Sequence, residues 1–321
     1  MISIIMINPS IIYILALMIG LVVIVKSGDY FVNSSARLSR LTGLSELFVG
    51  LVIVSIATSF PEFSVSFLSA LEHEMDVSLG NAFGTTIANI CLGFGLALLV
   101  RKKLPTDKDT IYNCVFMLFT VILCLVYAIR GYTSRLDGIL MILIFGAYLY
   151  FIFKKRHDKL LNREIRQEVD RRHLLMSIFG IVVGLAGIFI SAKIIIWSII
   201  NIAIVFGISK HLISATVVAV GTSIPEIVSS ILAMYRKYYG ISIGTIIGSN
   251  IIDILLTIGI SSLFVNVWFP SISLELDIPF YLILSIILLI FIHTGKTLSR
   301  KEGLILLNIY IIYLYLLIKI F

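Results

Sequence analysis

Residues 55–62 read S-I-A-T-S-F-P-E, and residues 219–226 read A-V-G-T-S-I-P-E. Thr58, Ser59, Pro61 and Glu62 recur as Thr222, Ser223, Pro225 and Glu226, an offset of 164 residues. The match extends outward without a gap, from Gly50–Gly95 onto Ser214–Gly259. Downstream, Ser78, Gly80 and Gly84 pair with Ser242, Gly244 and Gly248, and Asn89 pairs with Asp253. Self-similarity at one fixed spacing marks an internal repeat.

The setting of these copies is apolar. The 321 residues are 59% hydrophobic and 13% charged, and the mean hydropathy is +1.08. That charge is about half the share usual in soluble domains, ~25%. Runs of about 20 apolar residues, enough to cross a bilayer as a helix, recur along the chain. A soluble fold would have to bury nearly every helix on all sides. The sequence therefore predicts an all-α integral membrane protein with ten transmembrane helices. Their spans are 11–36, 45–71, 78–100, 111–129, 136–153, 174–206, 213–235, 241–265, 278–294 and 303–320. Met1–Ser10 carries no basic n-region and no cleavage signal, so the first span reads as retained.

Basic residues set the orientation. With the N-terminus outside, Arg37, Arg40, Arg101, Lys102, Lys103, Lys108, the stretch from Lys154 to Arg172, Arg236, Lys237, Lys296, Arg300 and Lys301 all fall in cytoplasmic loops. Only Arg130, Arg135, Lys210 and Lys319 fall outside, while Lys26 and Lys193 lie within spans. Both termini are expected outside, in a multi-pass protein of the cell (plasma) membrane. In a membrane protein the net charge of +7 reports this orientation, and no nucleic acid is called for.

The chain divides into 1–153, a first five-helix repeat; 154–173, a basic cytoplasmic linker; and 174–321, a second five-helix repeat. Five is odd, so the second copy enters the membrane from the opposite side. The expected architecture is two inverted repeats related by an axis in the membrane plane, with a substrate site at their interface.

Glu62 and Glu226 lie deep in apolar spans. An acid at the bilayer centre costs about 2.5–3.5 kcal/mol even on lenient scales. A protonated or paired structural acid is the bland reading, but two at equivalent positions point to cation ligands. Ser55, Ser59, Glu62 and Ser66 share one helical face, at i, i+4, i+7 and i+11. The second copy of that stripe is Ala219, Ser223, Glu226 and Ser230. Thr58 and Thr222 lie one turn before each glutamate; Thr85 with Asn89, and Ser249 with Asp253, repeat at i, i+4. Pro61 and Pro225 lack the N–H that would bond the carbonyls of Ala57 and Gly221, which frees backbone oxygens at membrane depth.

Every candidate ligand is thus an oxygen. Cys91, Cys114 and Cys124 lie in apolar runs without metal-ligand spacing and read as core thiols. Oxygen-only sites suit the hard cations Ca²⁺, Mg²⁺ and Na⁺, and flexible carboxylates and carbonyls fit Ca²⁺ better than Mg²⁺, which prefers a tight octahedron. Two carboxylates balance one Ca²⁺, two Na⁺ or protons, and mutually exclusive occupancy is the simplest basis for antiport. The ions are cargo; no cofactor and no obligate protein partner is implied. An intramembrane enzyme would need a nucleophile–base pair or a metal motif, and none is present. A cation channel would select with a ring of acids, which two acids on an inverted pair make poorly.

These motifs resemble the cation/calcium exchanger superfamily, closest to the prokaryotic sodium/calcium exchangers. The resemblance rests on the two octapeptides together with G-N-A-F-G-T-T-I-A-N at 80–89 and G-T-I-I-G-S-N-I-I-D at 244–253, and it covers nearly the whole chain. It implies a ten-helix fold in which the second, third, seventh and eighth helices form the ion core and the first and sixth slide as a gating pair. It further implies that Glu62 and Glu226 bind Ca²⁺ with the carbonyls of Thr58 and Thr222. Ser59, Thr85, Ser223 and Ser249, with carbonyls near Ser55 and Ala219, would serve Na⁺, and Asn89 and Asp253 would form a central polar pair. The chain departs from the family at Ala57, Thr85, Ser55 and Thr245, which faces Asn81 in the repeat. Asp29 and Lys193 also occupy equivalent positions, in the helices of the gating pair. The leading expectation is Ca²⁺/Na⁺ antiport by alternating access; the competing one is an exchanger using H⁺, or one dependent on K⁺.

Overall fold

The computed structural model describes residues 9–101, 103–161, 171–206, 219–295 and 297–320. The helices, in chain order, are α1 (Pro9–Thr42), α2 (Glu46–Thr58), α3 (Phe60–Leu71), α4 (Met75–Val100), α5 (Lys108–Arg130), α6 (Arg135–Leu161) and α7 (Arg171–Val205). They continue as α8 (Ala219–Thr222), α9 (Ile224–Tyr235), α10 (Tyr239–Phe264), α11 (Ser273–Thr294) and α12 (Arg300–Ile320). Among the described residues, eight helices are long and apolar enough to cross a membrane. The ninth candidate is α2 with α3, bent by 49° at their junction, and α9 is a shorter apolar helix. Residues 213–218 of the expected seventh span, and Lys210, lie outside the described residues. Within the segment 154–173 expected as a linker, α6 continues to Leu161 and α7 begins at Arg171. Residues 162–170 lie outside the described residues.

Local chemistry sets these bounds. The side chain of Asp107 caps α5 by accepting from the Thr110 N–H at 2.8 Å. The helix stops at Gly131, whose φ of +97° suits glycine. The span expected at 45–71 breaks in two because Pro61 can begin a helix but cannot continue one. Ser59 leaves helical geometry (φ −78°, ψ 5°), and the same break recurs at Ser223 (φ −77°, ψ −2°).

The sequence repeat is repeated in structure. α3 and α9, and α4 and α10, begin 164 residues apart. Both members of the second pair carry a π-helical turn at the same place, Asn89–Phe94 and Asp253–Ile258. The left-handed residues His73 (φ 63°) and Lys237 (φ 66°) close equivalent turns. Two short antiparallel strand pairs, absent from the sequence-based expectation, also obey the repeat. β1 (Lys103–Pro105) pairs with β4 (Thr297–Ser299), and β2 (Tyr132–Thr133) pairs with β3 (Val267–Trp268).

α4 and α10 form the centre. In their most apolar windows 72% and 89% of residues are buried, against 17% in α1. α1 and α7 pack along each other outside this centre. Small residues allow the approach: a Cβ at Gly184 would come within 2.8 Å of the Phe31 backbone.

Candidate functional site

The breaks at Ser59 and Ser223 bring the first turns of α3 and α9 to the centre, each carrying its glutamate. Glu62 is 1% exposed and Glu226 is fully buried. Glu62 lies within electrostatic reach of both Glu226 and Asp253. The described buried residues include no lysine or arginine. Uncompensated carboxylates in such surroundings require a cation or protons.

The two copies interlock here. Ser59 Oγ donates to Glu226 Oε1 at 3.2 Å. Thr58 and Ser249 also flank Glu226. Around this point many buried side-chain oxygens find no partner: both oxygens of Glu62 and of Asp253, Glu226 Oε2, Thr85 Oγ1, Ser223 Oγ, Ser249 Oγ and Asn89 Oδ1. Orphaned buried polar atoms are rare in folded proteins. Here they are nearly all acceptors or hydroxyls, and they come from both repeats. Among the described residues no three His, Cys, Asp or Glu side chains converge as a metal centre, so a cation would draw its remaining oxygens from hydroxyls, amides and carbonyls.

Most of the sequence-selected residues meet at this place, with informative exceptions. Ser55 Oγ donates to the Leu51 carbonyl at 2.5 Å and Thr58 Oγ1 to the Val54 carbonyl at 3.0 Å, which commits each hydroxyl proton to its own helix and leaves the oxygen lone pairs as acceptors. Ala219 opens α8. Asn89 and Asp253 do not bond each other: Asn89 Nδ2 donates to Asn250 Oδ1 at 3.2 Å. Asn250, not singled out from sequence, in turn donates to the Thr86 carbonyl at 3.1 Å. Its counterpart in the repeat is Thr86, so pairing the copies gave no cue. Asn81 was also overlooked as a site residue. Its Nδ2 reaches the Glu62 carbonyl at 3.2 Å and Ser66 Oγ at 2.9 Å, and its Oδ1 accepts from Thr222 Oγ1 at 3.4 Å. A fourth buried acid, Asp277, is a separate case, because it accepts from Tyr313 Oη at 3.0 Å. Its counterpart Asn113 accepts from Tyr148 Oη at 2.7 Å, which marks both as structural pairs.

Among the described residues, one flank of the site is sealed and the other is partly open. Beside Thr58, α2 lies directly on α10. A Cβ at Gly244 would stand 2.5 Å from the Leu47 carbonyl oxygen, and one at Gly248 2.5 Å from that of Leu51. Beside Thr222, among the described residues, nothing lies within 4 Å of a Cβ at Gly80 or Gly84. Thr222, Gly80, Asn81 and Gly84 are half-buried, whereas Thr58, Gly244, Thr245 and Gly248 are buried.

Comparison with known proteins identifies the family. A family model described as sodium/calcium exchanger protein matches residues 12–154 and 176–319. The chain is 33% identical to the sodium/calcium exchanger MaX1 of Methanosarcina acetivorans, over 95% of this chain and 98% of that one. It is 35% identical to human sodium/potassium/calcium exchanger 1 over 34% of this chain and 10% of that one. The solved structure of the sodium-calcium exchanger NCX_Mj, soaked with 10 mM Na⁺ and no Ca²⁺, superposes with a TM-score of 0.82. It has 29% sequence identity, and the match covers 94% of this chain and 98% of that one. Like these exchangers, the chain is a membrane transporter and not an enzyme. The chain belongs to the sodium/calcium exchanger family.

Proposed function

We propose that this protein is a secondary-active antiporter that exchanges Ca²⁺ for Na⁺ by alternating access at one site built on Glu62 and Glu226. The observation that carries the reading is the set of orphaned buried oxygens around two carboxylates with no buried cationic side chain among the described residues. One Ca²⁺ satisfies that charge, and Na⁺ ions at the Ser59, Thr85, Ser223 and Ser249 hydroxyls replace it, so the two cargoes exclude each other. The reading takes the fold as ten spans in two inverted five-helix repeats, with both termini outside the plasma membrane and the 154–173 segment in the cytoplasm. On that topology the accessible flank at Thr222 and Gly80 faces outward and the sealed flank at Thr58 and Gly244 faces inward. No cofactor beyond the transported ions is required.

Asp253 supports a second reading of the counter-ion. Its carboxylate stands where the first repeat has the neutral Asn89, so it adds a negative charge that H⁺ or K⁺ could balance. Ca²⁺ uptake into proteoliposomes under imposed Na⁺, K⁺ and pH gradients separates the cases. Uptake that requires an outward Na⁺ gradient and persists without K⁺ or a pH gradient is expected. Uptake driven by a pH gradient and indifferent to Na⁺ would sink the leading reading.

A further inference from the structure

α1 is tied to the turn after α9 by a fork of two charge-assisted hydrogen bonds. Arg236 Nε and Nη2 reach the two carboxylate oxygens of Asp29 at 2.5 and 2.6 Å. Neighbouring contacts reinforce the tie. Tyr238 Oη donates to Asn33 Oδ1 at 3.4 Å, and Arg40 stands over the Tyr238 ring at 5.9 Å. Gly28 lets the helices touch, since a Cβ there would meet Leu232 at 2.5 Å.

Moving each partner by the repeat offset gives Lys193 for Asp29 and Glu72 for Arg236. The counterpart pair thus has its charges reversed, and it is again attractive. Among the described residues it is not formed: Lys193 and Glu72 are both exposed and make no ion pair. Glu72 opens an acidic, exposed turn that also holds Glu74 and Asp76. The formed pair lies on the sealed flank of the site by the topology above, and the unformed pair on the accessible flank.

We infer that Asp29–Arg236 and Lys193–Glu72 are alternate latches, positioning residues that hold α1 or α7 against the ion core according to which flank is closed. The inference rests on the alternating-access reading and adds its switch. Closing the accessible flank brings Lys193 to the Glu72 turn, while opening the sealed flank separates Asp29 from Arg236. Neither pair touches the cation, so each acts on the balance between the two states. An exposed ion pair shifts such a balance about two- to fivefold.

The test uses the full chain with Gly80→Cys, a half-buried position where no described residue lies within 4 Å of an added Cβ, labelled in right-side-out vesicles by a membrane-impermeant maleimide. Cys91, Cys114 and Cys124 are buried and give no background. Asp29→Asn and Arg236→Gln should each slow labelling, by up to about fivefold as the open fraction falls. Asp29→Arg combined with Arg236→Asp should restore the parent rate. Glu72→Gln and Lys193→Gln should not slow it, and they break no contact of this state, so misfolding does not cloud them. Labelling at the parent rate in the Asp29 and Arg236 variants, equal slowing in all four, or no rescue by the reversed pair would overturn the latch. Ca²⁺ uptake by the parent is scored separately: its absence removes the exchange reading, whereas the labelling ratios judge the latch.

Discussion

Ser59, on the first repeat, donates its hydroxyl to Glu226 on the second, at 3.2 Å. The bond joins two identical motifs across the centre of the molecule and leaves Glu226 Oε2 without a partner. A hydrogen bond to a charged group contributes about 1.5–3 kcal/mol. Ser59→Ala should therefore weaken apparent Ca²⁺ affinity roughly tenfold, since 1.4 kcal/mol is a factor of ten. Isothermal titration in detergent measures it, and an unchanged affinity would mean that Ser59 does not hold the carboxylate for the ion.

Glu62→Gln and Glu226→Gln should each abolish Ca²⁺ uptake. Each removes a buried charge without changing size, so the fold should persist, with a melting temperature at or above that of the parent in Ca²⁺-free buffer. Proteoliposome uptake and thermal unfolding check both halves of this expectation; near-normal uptake in both variants would refute the assignment.

Asp253→Asn should be milder. The equivalent Asn89 is already neutral, and its amide is engaged by Asn250. We expect uptake to persist at a reduced rate with altered dependence on Na⁺, K⁺ or pH. Complete loss would make Asp253 a primary ligand.

Asn81 links Thr222 to the Glu62 carbonyl on the accessible flank, whereas its counterpart Thr245 bonds its own helix, at the Ile241 carbonyl. Asn81→Ala should lower apparent Ca²⁺ affinity severalfold, and Thr245→Ser should not. A double-mutant cycle of Asn81→Ala with Thr222→Val should show coupling, because the two side chains share a bond.

Gly244→Ala should cost several kcal/mol or prevent folding, because the added methyl meets backbone that cannot give way. Gly80→Ala, at the equivalent position, should leave thermal stability within about 0.5 kcal/mol of the parent. Equal behaviour would mean that the two flanks are packed alike.

Much of this was readable from sequence because it rests on period and offset. The prolines of the doubled T-S-x-P-E motif marked the turns that are disturbed, although the spans were expected to run through them; the polar stripe put Ser59 on the face of Glu62, whereas its hydroxyl bonds Glu226 of the other repeat. What escaped had no such signal. Asn250 faces Thr86 in the repeat, so comparing the copies could not mark it. The hydroxyls of Ser55 and Thr58 bond back to the preceding turn, as hydroxyls on helices readily do, which leaves the carbonyl roles expected of these residues untouched. Asp29 and Lys193 were visible as equivalent charges, but their partners lie 207 positions away for Asp29 and in a separate turn for Lys193. The strand pairs are two and three residues long, too short for alternation to register.

Those strand pairs bear on how such a chain can arise. Each takes one strand from either half, so a half alone would leave two open edges, which invite pairing with another chain. Two copies of the same half would close both edges at once. The present protein is, in that sense, a dimer written on a single thread. Joining the copies let them diverge, and Asn81 against Thr245, Asn89 against Asp253, and the reversed charges of the two latches are differences that identical subunits could never have held.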